Sequence, residues 1–82
     1  MSESKTPLAE RIARVLAGAV LGSNAEGNDP SAGDRVDAAW PDYMNHALAV
    51  LHTMREPDER MAAAGDSDTW TKMVETAINQ AE

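Results

Sequence analysis

The sequence predicts an all-α domain: a small bundle of three main helices plus one short helix, with a long loop between helices 1 and 2. Three observations carry this. Apolar residues recur at three- and four-residue spacing through most of the chain, and no stretch alternates as a strand would. Ala is abundant, which favours helices and lets them approach closely. Gly and Pro cluster where the periodicity breaks. The 82 residues fit a single helical domain, 1–82. A chain of this size buries roughly 60–65% of its unfolded surface, so only a few kcal/mol of stability are expected.

Residues 1–5 are polar and expected to fray. Thr6 and Pro7 form a helix start: Thr can cap, and Pro tolerates the first helical position because its missing N–H would be unpaired there. Leu8, Ile12, Val15, Leu16, Ala19 and Val20 then repeat at helical spacing, and Gly22 is a C-terminal stop. The first helix is therefore placed at about 7–21. Residues 22–36 hold three Gly, two Asn, Pro30 and two Ser, and read as a long acidic loop. Loops of that length are functional, disordered or plain crossovers.

The second helix is the longest apolar element. Trp40, Met44, Ala47, Leu51 and Met54 form its stripe, widened by Tyr43, Leu48 and Val50. Pro41 is expected in its first turn, with residues 35–39 as a possible preceding turn. Pro57 ends it, because the residue before Pro avoids the helical region. A short third helix is expected over 57–64, with Met61 inward and Gly65 closing it. Asp66, Ser67 and Asp68 offer a cap for the last helix. Its inner face is read as Trp70, Met73, Val74, Ala77, Ile78 and Ala81.

The charge is unevenly distributed. The chain carries a net −7. Residues 22–42 hold Glu26, Asp29, Asp34, Asp37 and Asp42 against Arg35, a net of −4. Residues 56–68 hold Glu56, Asp58, Glu59, Asp66 and Asp68 against Arg60, again −4. Such a surface suits a basic partner and repels nucleic acid and anionic membrane. The plainer reading is capping and solubility, since Asp37, Asp42, Asp58, Glu59, Asp66 and Asp68 all fall near expected helix starts.

No motif points to catalysis or to a cofactor. There is no Cys, hence no disulfide and no thiolate metal site, which fits a reducing compartment. His46 and His52 lie about 240° apart around a helix and do not share a face for one metal. Asp66-x-Asp68 with Glu75 lacks the Gly and the Glu spacing of a calcium loop. Gly22 and Gly27 have the glycine spacing of a phosphate-binding loop, but Asn28 stands where its Lys must be. No nucleophile is paired with a base, so the chain is read as not an enzyme. VLAGAVLG at 15–22 is a short apolar run preceded by Glu3 and Glu10, without a cleavage site, and is not read as a signal peptide. No run reaches the roughly 18–20 apolar residues of a membrane span. The expected location is the cytoplasm.

The stretch from Trp40 to Ala81 carries Trp40 and Tyr43, then M-R-E-P at 54–57, Met61 with Ala64 and Gly65, then Trp70, Met73 and Ala77. In these residues it resembles a loose group of short uncharacterised proteins from phages, prophages and alphaproteobacterial genomes. The resemblance covers about half the chain and brings no catalytic residues with it. It implies a mobile-element origin. By size, charge and that origin, the chain is similar to anti-CRISPR proteins, which often occupy the nucleic-acid-binding surface of a host complex.

The leading expectation is a small acidic binding protein that imitates nucleic acid. It would present Glu26, Asp29, Asp34, Asp37, Glu56, Asp58, Glu59, Asp66 and Asp68 to Arg and Lys of a basic host protein. It would use no cofactor and no metal, contact no nucleic acid or membrane directly, and act as a monomer or homodimer. The alternative is a virion or assembly accessory protein working through helix–helix self-association. Trp40 and Trp70 serve as core anchors in a chain without Phe, or as interface anchors if exposed.

Overall fold

The structure, a computed structural model, describes residues 3–22 and 32–82. It is all-α. Helix α1 spans Leu8–Gly22, α2 Ala32–Ala39, α3 Met44–Met54, α4 Glu59–Ala64 and α5 Ser67–Ala81; a 3-10 turn, Trp40–Tyr43, joins α2 to α3. No strand occurs among the described residues. Because α2, the 3-10 turn and α3 follow without a break, the bundle has three long helical segments and the short α4.

Helix α1 is the hub, packing on α2, the 3-10 turn, α3 and α5. Its buried face is Ala9, Ala13 and Ala17, spaced four apart. Leu8, Ile12 and Leu16 flank that row, half-buried. Small side chains on the inner face allow the neighbours to come close. At Gly18 the closeness is visible: a Cβ there would lie 3.8 Å from Val36 Cγ2 of α2, an ordinary packing distance. The α1 stripe read from the sequence is therefore corrected: Val15 is 70% exposed, and Ala19 and Val20 are also exposed. The start also shifts by one residue. Pro7 accepts the first helical bond from the Arg11 N–H at 3.1 Å, so it flanks the helix instead of opening it.

Helical backbone begins at Ala32, so residues 32–36 of the expected loop belong to α2. Pro41 explains the 3-10 turn. It has no N–H to donate to the carbonyl four residues back, and its ring crowds that carbonyl, so the α ladder cannot continue through it. The chain tightens over Trp40–Tyr43, and the Met44 N–H bonds the Pro41 carbonyl.

Ala47 and Leu51 of α3 are buried, with Met44, Leu48 and Met54 half-buried beside them. Val50, read as part of the inner stripe, is 38% exposed. The end of α3 is capped by α5. The Trp70 indole N–H donates to the Met54 carbonyl at 2.6 Å, and the Thr71 hydroxyl donates to the Arg55 carbonyl at 3.0 Å. Carbonyls at a helix end lack partners within their own helix; here side chains from another helix supply them. An ion pair, Arg55 to Glu75 at 3.6 Å, ties the same two helices at the surface.

Helix α4 contributes nothing to the core. It begins at Glu59 rather than Pro57, because the Asp58 carboxylate caps it by accepting the Met61 N–H at 2.9 Å. Met61, expected inward, is 43% exposed. Gly65 does close the helix, its N–H bonding the Met61 carbonyl. In α5, Val74, Ala77 and Ile78 are buried, and Trp70 and Ala81 pack against the core half-buried. Met73, placed on the inner face by its spacing, is 66% exposed. The core is thus Ala9, Leu51, Val74, Ala77 and Ile78, walled by half-buried Leu8, Ile12, Met44, Leu48, Met54 and Trp70.

Candidate functional site

The candidate site is the acidic surface. Every described member of the set expected from the sequence, namely Asp34, Asp37, Glu56, Asp58, Glu59, Asp66 and Asp68, is exposed. Glu26 and Asp29 lie outside the described residues, as does most of the glycine pair's loop.

The acids fall into two groups. Asp34 and Asp37 stand on α2, which packs on α1 and the 3-10 turn. Glu56, Asp58, Glu59, Asp66 and Asp68 gather around α4 and the start of α5. The six residues of α4 rise only about 9 Å, so the turns at its two ends hold these five carboxylates near one another. The 3-10 turn and α3, Trp40 to Met54, place about 25 Å of helix between the two groups.

The carboxylates do different local work. Asp58 caps α4. Asp66 caps α5, accepting the Asp68 N–H at 3.1 Å and the Thr69 hydroxyl at 2.8 Å. The Thr69 hydroxyl, and after it the Asp68 N–H, hold the Asp66 carboxyl below the usual carboxylate range, so its charge persists into acid. Asp37 reaches back to α1 and pairs with Arg14. Arg14 also bonds Glu10 at 2.9 Å, and its guanidinium lies 5.1 Å from the Trp40 ring centroid. Its partners, Asp37 first and then Glu10, push the Arg14 pKa up. This cluster ties α2 and the 3-10 turn to α1 and covers one face of Trp40, which stands apart from the main core cluster.

Asp34, Glu56, Glu59 and Asp68 form no ion pair among the described residues. Their carboxylates are exposed to solvent, with Arg60 of α4 the one cation within the 56–68 stretch. Asp58 and Asp66 form no ion pair either, so all five acids of the 56–68 group are unpaired among the described residues. Chemically the group can accept charge-assisted hydrogen bonds from Arg and Lys.

Among the described residues no group of three His, Cys, Asp or Glu side chains is placed to hold a metal. His46 stacks obliquely on Tyr43 with ring centroids 6.1 Å apart, while His52 lies farther along α3. No described helix is long and apolar enough to cross a membrane.

Two features were not read from the sequence. The Arg14 cluster joins residues 23 apart through a tertiary contact that spacing does not reveal. A groove of about 310 Å³ lies between the segment Ser4–Leu8 and α5, with Lys5 and Arg11 among its lining residues. Comparison of the chain with protein-family models, curated proteins and solved structures finds no match.

Proposed function

We propose that this chain is a non-catalytic inhibitor of phage or mobile-element origin that occupies a basic nucleic-acid-binding surface of a host defence complex. The observation that carries the reading is the 56–68 end, where five exposed carboxylates gather around α4 and none forms an ion pair among the described residues. Carboxylates so spaced offer Arg and Lys the acceptors that phosphates would. Glu56, Glu59 and Asp68 are the leading contact residues, with Asp58 and Asp66 beside them. Asp34 and Asp37, on α2, belong to a second, separate patch; Glu26 and Asp29 lie outside the described residues. The resemblance of Trp40–Ala81 to phage and prophage proteins supports a host target. The protein acts in the cytoplasm, where such targets reside.

The test is capture of the partner from bacterial host lysate at low salt and again at about 0.5 M, where the screening length falls to about 4 Å. The proposal expects a basic nucleic-acid-binding protein that is held at low salt and released at high salt. Glu56→Lys with Glu59→Lys should abolish capture while sparing the caps at Asp58 and Asp66. Unchanged capture by that variant would sink the reading.

A second reading, helix–helix self-association in virion assembly, draws on the exposed Val15 and Met73. It expects stable oligomers that ignore salt.

A further inference from the structure

We propose that the groove between the N-terminal segment and α5 binds a single-chain anionic amphiphile of the alkyl carboxylate class. The alkyl chain would lie along Trp70, Val74 and Ala77, and the carboxylate would meet Lys5 and Arg11.

Shape narrows the occupant. The groove follows α5 from Trp70 to Gln80, about 15 Å of helix. Its volume is about 310 Å³. It has room for one thin chain.

Polarity narrows it further. Leu8, Met54, Val74 and Ala77 give the groove an apolar floor, and Met73 stands exposed at its lip. The one polar atom of Trp70 is already used, since its indole N–H donates to the Met54 carbonyl. Among the described residues no buried side-chain polar atom is left without a partner. An extended peptide would bring an N–H and a C=O at every residue, and of the lining's neutral side chains only Ser4, Thr6, Thr76 and Gln80 could answer them, none of which belongs to the apolar floor. An alkyl chain needs no such answer.

Charge supplies the last step. The chain carries a net −7, yet the groove is lined by two cations, Lys5 and Arg11, and by no carboxylate. Neither cation forms an ion pair among the described residues. Both are exposed and stand off the core, so they are available to an anionic head group. This site is distinct from the 56–68 acids and does not depend on the function proposed for them.

The experiment is calorimetric titration of the full chain with decanoate, with decyltrimethylammonium as the opposite-charge control. Decanoate should saturate a single site and bind more tightly than the cation. Lys5→Glu with Arg11→Glu should weaken decanoate by about tenfold or more, with helicity and melting temperature unchanged. Met73→Gln, at the lip, should weaken it less. Three results would overturn the proposal: no saturable binding of decanoate, equal affinity in the charge-reversed variant, or saturation by an acidic apolar peptide that decanoate cannot displace.

Discussion

Leu51→Ala tests where the core of this bundle lies. Leu51 is the largest fully buried side chain among the described residues. Truncation removes three carbons, at ~0.8 kcal/mol each about 2.4 kcal/mol of transfer free energy. The cavity left behind raises the loss to about 3–4 kcal/mol. A chain of 82 residues holds about 4–12 kcal/mol in all. The variant should therefore lose a large share of its stability. With a urea dependence near 1 kcal/mol per molar, the midpoint should fall by about 3 M. Urea denaturation followed by circular dichroism reads this directly. Val50→Ala is the internal control, because Val50 sits about 100° around the same helix and is 38% exposed. It should cost less than about 1 kcal/mol. If Val50→Ala costs as much as Leu51→Ala, or if Leu51→Ala costs under about 1 kcal/mol, the orientation of α3 described above is wrong.

Three further outcomes follow from the packing and capping. Gly18→Ala should stabilise by about 0.5–1 kcal/mol in the same urea assay, since a Cβ there meets Val36 at 3.8 Å and a helix interior favours Ala. Ala13→Leu should destabilise by about 1–3 kcal/mol or more, because Ala13 is fully buried on the hub helix and extra volume must push α1 off its neighbours. Asp66 should contribute to acid stability. Its carboxyl is held below the ordinary value of 3.8, so its stabilisation is complete above that value and is lost as pH falls through the lowered one. The stability difference between wild type and Asp66→Ala, measured by denaturation from neutral pH down to acid, should stay constant above 3.8 and shrink as pH falls from there through the lowered value.

The bundle was legible in the sequence because punctuation and periodicity agreed. Pro57, Gly65 and the Asp66 cap mark joints where the sequence places them, and each acts locally; Pro41, expected in the first turn of a helix, instead sits in the 3-10 turn, and Asp58, expected inside the short helix, caps it. The facing of individual helices was less legible. Spacing arguments give weight to large side chains, whereas α1 buries Ala9, Ala13 and Ala17 and leaves Val15 outside. Their four-residue repeat was visible, but Ala is equally at home on a helix surface, so the repeat does not declare its face. Met61 and Met73 erred for a related reason: their spacing matched a stripe, but α4 packs outside the core and Met73 lies at the edge of α5's buried arc. The α2 helix was hidden by Gly33 and Asp34, which read as turn chemistry although α1 packs against Val36 two residues on. In the acidic surface, the 56–68 residues are near one another in sequence and stay near in space. The pairing of Asp37 with Arg14, and the meeting of Ser4–Leu8 with α5, depend on tertiary packing and leave no local signature.

The central claim, that the 56–68 carboxylates take the place of phosphates, is tested most directly by competition. The captured host protein is loaded with a labelled nucleic acid, and the chain is titrated in at about 0.1 M salt, where the screening length is about 10 Å. The account predicts that the nucleic acid is displaced and that Glu56→Lys with Glu59→Lys fails to displace it. Simultaneous binding of the chain and the nucleic acid, or equal displacement by the variant, would contradict it.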